Sequence, residues 1–472
     1  MNKKKELAKN TAILTFGKIC TQSISFLLLP LYTAILDTTD YGTFDLLITY
    51  ATLFLPLVNW QLDQGIFRFL LDARNDKEKQ SGLFSTVFCV NTLQVLIFTT
   101  ILGLFTAITK FRHGYFLIVY VVLHVYTALL LQFVRGLGRN TVYAIASFIS
   151  AVMIVIFNVI ALVVLKWQLS GLLASTIVSQ TFTILYLMYA IKPWEYFNLQ
   201  KVQRELGSQV VKYSLPLIPN NLAWWVVNVS DRMIVSHILG VAVNGIYTVA
   251  NKFSNVFINF YNIVNLSWTE SVSVHFNDED RDEFLSETIT ILYRLFSCAC
   301  FGIVALMPYI FPIMVNEKYN IAYNHVLILM YAMLLRVIVG LYSSVYIAQK
   351  NSKKIAYTSM AAALLNISIH LFLIGKIGLY AASLSTVAAF GIMAVIRYID
   401  INKTIKMRIS HFTFVSSVAV GIVLAIFYYI NSKIGNAVML LIVVCYSVAM
   451  NVGLLKNGAG LLKKLKSGKL DK

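Results

Sequence analysis

Lys18, Asp231, Arg232, Lys252 and Arg336 are ionisable side chains placed where an otherwise apolar chain should carry none. Each falls inside an apolar run long enough to cross a hydrocarbon core of about 30 Å. A charge at that depth is costly, and it persists where it pairs, faces water or meets a ligand. Four of the five are cations, and Asp231 can neutralise only one of them. A water-filled cavity that receives an anion accounts for the surplus, and lysine and arginine are the side chains that suit phosphate. Asp45, Asp63, Arg68, Glu270 and Arg294 lie nearer the ends of their runs, where a long side chain can reach water.

Neutral polar residues recur beside these charges at helical spacing. Thr11, Thr15, Lys18, Gln22 and Ser25 form one stripe, so that face must meet protein or water. Asn221, Trp224, Trp225, Asn228 and Asp231 share another face, with Arg232 beside it. Asn251, Asn255, Asn259 and Asn262 repeat the pattern, with Lys252 adjacent, and "NWQLDQ" adds Asn59, Gln61, Asp63 and Gln64. Two readings stand for these residues. They are hydrogen bonds and an ion pair that hold a helical bundle together, or they line a cavity. Asparagine amides both donate and accept, which suits the hydroxyls of sugars.

The chain carries no enzyme signature and implies no cofactor. It has no phosphate-binding glycine loop of the ATPase type. His124, His237, His325 and His370 lie on separate segments, where a lone histidine is ordinarily packed or hydrogen-bonded. "NDEDRDEF" (277–284) lacks the ligand spacing of a calcium loop and reads as a solvated acidic segment. The five cysteines sit in apolar segments without metal-ligand spacing and read as small hydrophobes.

The elements that must position these groups are transmembrane helices. Of 472 residues, 58% are hydrophobic and only 13% charged, and the mean hydropathy is +0.73. A soluble chain carries about 25% charged residues. Fourteen spans can be drawn, the first over 11–36, the second over 43–63, the seventh over 213–239 and the eighth over 243–270. Lysine and arginine concentrate on one side, in "RGLGRN", "QKNSKK", "INKTIKMR" and the C-terminal tail, which places both termini in the cytoplasm by the positive-inside rule. The net charge of +18 is thereby explained without a nucleic-acid partner. The basic N-terminus leads into a long run without a cleavage site, and reads as an uncleaved first span.

There is an internal echo. "ILDTTDYGTF" (35–44) and "ILGVAVNGIY" (238–247) align without gaps, with Gly42 matched to Gly245. One joins the first span to the second, the other the seventh to the eighth. The implied plan is two six-helix bundles related by a pseudo-two-fold, over 1–195 and 196–402, followed by two further helices and a basic tail over 403–472. Six spans separate the copies, so the repeat is parallel rather than inverted.

"SDRMIVSHILGVAVNGIYTVANKF" (230–253) and "LLLPLYTAILDTTDYGTFDLL" (27–47) resemble the polysaccharide flippases of the Wzx type, and the span count and the two-bundle plan are similar over the whole chain. The resemblance implies the superfamily shared with MATE multidrug exporters and lipid II flippases. It implies a bacterial plasma-membrane protein that turns undecaprenyl-diphosphate-linked oligosaccharides, in O-antigen or capsule assembly, to the outer leaflet by alternating access. Coupling would be to H+ or Na+, with polymerase and glycosyltransferase partners. Under it, Lys18, Arg232, Lys252 and Arg336 are diphosphate or sugar contacts. Asp231 orients Arg232 or carries the coupling cation, and Gln22, Asn228, Asn251, Asn255 and Asp63 are further cavity residues. A lipid II flippase is the nearest alternative. A MATE-type exporter of cationic drugs is disfavoured by Lys18 in the first span.

Overall fold

A computed structural model describes residue 24 and residues 26–407 and 410–466, with side chains described to residue 452. Lys18 and Gln22, and with them the polar stripe of the first span, lie outside the described residues. Every regular element among the described residues is helical. In chain order these are α1 (Leu29–Ile35), α2 (Thr38–Asn59), α3 (Leu62–Asp72), α4 (Lys77–Thr109), α5 (Gly114–Gly136), α6 (Asn140–Val159), α7 (Gln168–Ile191), α8 (Arg204–Ser214), α9 (Leu217–Ile238) and α10 (Val241–Val274). They continue with α11 (Arg281–Met314), α12 (Ile321–Ala348), α13 (Ser352–Ile377), α14 (Tyr380–Ile401), α15 (His411–Ile430) and α16 (Lys433–Lys466), which breaks at Asn451.

Side chains placed at the turns start the helices. Asp37 accepts from the Asp40 amide at 2.6 Å to open α2, and Asp76 accepts from the Glu78 and Lys79 amides at 3.1 and 3.0 Å to open α4. Each carboxylate satisfies amides that have no partner within the helix. Eleven helices among the described residues are long and apolar enough to span a bilayer. The helices at spans seven and eight, α9 and α10, fall short of that apolarity because they carry the asparagines and charges singled out above. With them, thirteen of the fourteen expected spans have a helix among the described residues, and most of the first span lies outside them. This is an all-α, multi-pass membrane protein.

Its contacts divide the chain into two compact units, 1–248 and 249–472. In the first, Leu62, Ile66, Leu70, Phe84, Phe133 and Val134 form one buried cluster. Leu47, Ala51, Val95, Leu117, Val121 and Val125 form a second. In the second unit, α14 packs closely on α12 and α13. Ala381, Ala382, Ser383 and Ser385 are fully buried there, the small residues that let helix backbones approach when lipid supplies no hydrophobic drive. Large apolar side chains such as Ile108, Ile313 and Leu441 point outward, as a lipid-facing surface requires.

Candidate functional site: polar networks within the membrane helices

The two echoed turns meet in the first unit. A Cβ added to Gly42 would overlap the carbonyl oxygen of Val241, and one added to Gly245 would overlap that of Thr38. Thr38 and Val241 are themselves partners in the alignment of the two copies, so the contact is reciprocal, as a local two-fold demands. Glycine is required at both positions because α2 and α10 approach backbone to backbone. Around this crossing, the Asn244 amide donates to Gly42 O at 3.1 Å and to Asp45 Oδ2 at 3.4 Å. The other Asp45 oxygen accepts from Arg232 at 3.2 Å.

Arg232 therefore finds its carboxylate in Asp45, 187 residues away, and not in its neighbour. Adjacent helix positions diverge by about 100°, so Asp231 and Arg232 point to different partners, and Asp231 turns toward α10, where Tyr247 donates to its Oδ2 at 3.1 Å. Asp45 was also misplaced as a residue near a span end. It is buried, and it lies seven residues into α2, about 10 Å from the helix start by rise. Arg232 lies six residues before the end of α9, a matching depth.

The polar face of α9 splits in two. Trp225 Nε1 donates to Thr52 at 3.1 Å and Asn221 Nδ2 to Gln61 at 2.9 Å, so Asn221, Trp225 and Arg232 tie α9 to α2 and the segment that follows it. Asn228 bonds back to its own helix at Trp224 O, 2.6 Å, and its Oδ1 is buried without a partner. For Asn221 and Trp225 the bundle-holding reading is the one the geometry bears out.

"NWQLDQ" is a break rather than a continuous span end. Trp60 and Gln61 both adopt left-handed backbone angles, with φ of 47° and 56°. Non-glycine residues enter that region at a cost and need local support. Asn59 supplies it: Oδ1 accepts from the Gln61 amide at 2.9 Å, and Nδ2 donates to Asp63 Oδ1 at 3.0 Å. Gln64 takes the other Asp63 oxygen at 2.7 Å. Asp63 is thus buried and engaged on both oxygens by local amides.

The second unit holds Lys252, Asn251 and Asn255, each half-buried on α10, and Arg336, half-buried on α12. Arg336 has no carboxylate within ion-pair distance among the described residues, and its guanidinium lies 5.9 Å from the centre of the Phe390 ring. The structure thus brings Arg232 and Asp231 together with Asp45, Asn244 and Tyr247 in one unit, while Lys252 and Arg336 belong to the other.

One cation was missed by sequence. Arg397, on α14, is fully buried in the second unit, and neutral oxygens from two neighbouring helices coat it. It donates to Val339 O at 3.0 Å and to Ser343 Oγ on α12. On α13 it reaches Thr358 Oγ1 at 3.0 and 2.9 Å and Ser359 Oγ at 3.2 Å. Nearby, Asp400 accepts from Lys354 at 2.7 Å and from Tyr346 at 2.9 Å. Only the run of hydroxyls on α13 hinted at this seat, and their partner lies 39 residues away. Among the described residues no group of histidine, cysteine or carboxylate side chains is arranged to hold a metal ion.

Known structures share this multi-pass helical fold. The lipid II flippase MurJ in an inward closed conformation superposes with a TM-score of 0.73 at 16% identity, over 94% of this chain and 99% of that one. An inward-facing multidrug resistance MATE family transporter of the MOP superfamily gives 0.69 at 13% identity, over 83% and 98%. Comparison with curated protein sequences finds no significant match. The polysaccharide biosynthesis protein family model matches residues 7–269, more than half of the chain, and the protein belongs to that family.

Proposed function

We propose that the protein is a flippase for undecaprenyl-diphosphate-linked oligosaccharide repeat units in a bacterial plasma membrane, working by alternating access in surface polysaccharide assembly. The observation that carries this reading is Arg336, a half-buried cation in a membrane helix with no carboxylate partner among the described residues. An unpaired arginine at such depth is retained when a ligand supplies the missing negative charge. A lipid diphosphate does so, and the guanidinium fork matches phosphate oxygens. Family membership supports the polysaccharide end of the substrate. Lys18 and Lys252 are assigned the same role. Arg232 is assigned it too, as a cation that exchanges Asp45 for phosphate. Asp231, Gln22, Asn228, Asn251, Asn255 and Asp63 are the polar lining, with H+ or Na+ as coupling ion.

The bundles 1–195 and 196–402 are the two moving halves, and 403–472 adds two helices and a cytoplasmic tail through which polymerase or glycosyltransferase partners can dock. Proteoliposomes loaded with lipid-linked oligosaccharide test the reading directly. Translocation that falls at least tenfold in Arg336→Gln, at equal protein level, supports it. Translocation of lipid II but not of the oligosaccharide lipid overturns it in favour of a peptidoglycan-precursor flippase. Imposing proton and sodium gradients separately identifies the coupling ion.

A further inference from the structure

The first unit contains a cavity of about 250 Å³ among α5, α6 and α7, lined by none of the cations discussed above. His124, Gln132, Tyr143, Ser147, Gln180 and Thr183 contribute its polar lining, and no lysine, arginine, aspartate or glutamate does so. Three hydroxyls of the lining donate within their own helices: Thr127 to Leu123 O at 2.8 Å, Thr183 to Ser179 O at 2.8 Å and Ser147 to Tyr143 O at 3.0 Å. The imidazole and amide groups are not used in this way. His124 Nδ1, Gln132 Oε1 and Gln180 Oε1 are all buried without a hydrogen-bond partner. Buried polar atoms are nearly always paired in folded proteins, so three orphans around one cavity point to an occupant.

Three classes of occupant can be weighed. An anion finds no cation in the lining. A bare metal ion needs oxygens about 2.0–2.6 Å away on several sides, and a space of this volume is too open for that. A neutral molecule bearing several hydroxyls donates to the orphan acceptors and receives from the amide groups of Gln132 and Gln180. The volume falls below the roughly 300–1,000 Å³ of sites for drug-sized ligands, which suits one sugar ring rather than an oligomer. Gln132, Tyr143, Ser147 and Gln180 are each partly exposed, so the cavity is not sealed.

We propose that this cavity is a subsite for one neutral glycosyl ring, read by the Gln132 and Gln180 amides and His124, and separate from the diphosphate-binding cations. The choice of sugar over other neutral polyols rests on the flippase reading, whereas the existence of a neutral polyol site does not.

The test uses the full chain in lipid nanodiscs, with saturation-transfer NMR of neutral methyl glycosides. The wild type should give a saturable signal that inorganic pyrophosphate does not compete away. Gln132→Leu with Gln180→Leu should weaken it at least tenfold, and Gln180→Met alone by a smaller factor should the double variant fold poorly. Equal binding by wild type and variants, or no glycoside binding to a folded wild type, overturns the proposal. So does a thermal stabilisation by sodium, in place of glycoside, that the variants lose. Pyrophosphate binding and its loss in Arg336→Gln are read in the same samples. A cavity that fails while pyrophosphate still binds leaves the flippase reading standing, and the converse isolates a failure of that reading.

Discussion

Two arginines in the membrane helices, one in each unit, solve the same problem in opposite ways. Arg397 is fully buried and spends its guanidinium on neutral carbonyl and hydroxyl oxygens from α12 and α13. Arg232 keeps about a fifth of its side chain exposed and relies on one carboxylate, Asp45, at 3.2 Å. The first arrangement has many bonds and no ionisable partner, so nothing short of unpacking three helices releases it. The second has a single partner that a competing anion can displace. The contrast separates a staple from a contact that can take part in a cycle, and it does so by partner chemistry rather than by residue type.

The largest effect is expected where that comparison meets the backbone. Gly42→Val or Gly245→Val places a branched side chain onto a carbonyl oxygen of the opposing turn. Either should abolish polysaccharide export. Retained export with an unchanged yield of folded protein would break the claim that the echoed turns must touch.

Next comes Arg397→Met. Removing the cation leaves several buried oxygens without their donor, and an unsatisfied buried polar group costs about 1–3 kcal/mol. The expected outcome is a large drop in folded protein recovered from membranes, measured by size-exclusion chromatography, with Arg397→Lys recovering part of it. Normal yield and thermal stability for the methionine variant would show that Arg397 is no staple.

Arg232 and Asp45 sharpen the other side. Arg232→Gln and Asp45→Asn should each lower export about tenfold while leaving protein levels near normal, and the double variant should fall well short of the product of the two. Non-additivity of that kind is the signature of a shared contact. Simple multiplication of the single effects would dissociate the pair. The smallest effect is expected at Arg68 and Asp72, an exposed i,i+4 pair at 2.8 Å. Arg68→Gln should change stability by no more than about 0.5 kcal/mol, which calibrates the other three measurements.

Much of this was legible beforehand. The apolar runs located the crossings because a bilayer of fixed thickness imposes a fixed length on each helix. The two polar helices were visible as the runs with asparagines and charges at helical spacing. The echo around Gly42 and Gly245 was legible as well, since close helix contact leaves room for nothing larger at either position. The break at Trp60 and Gln61 was not. Its residues look like the polar end of a span, and the left-handed angles arise from hydrogen bonds among Asn59, Gln61 and Asp63 that composition does not reveal.

The sequence by itself determined that this chain crosses the membrane many times and that two matched glycine turns recur, at Gly42 and Gly245. Those properties follow from burial cost and steric room, which act residue by residue along the chain. Tertiary structure decided which carboxylate answers Arg232, that Asp231 meets Tyr247, that Arg397 is sealed among hydroxyls, and that His124, Gln132 and Gln180 surround a cavity. Periodicity gives the face of a helix on which a side chain sits. It does not give the rotation of that helix against its neighbours, and partners 187 residues apart are chosen by that rotation alone.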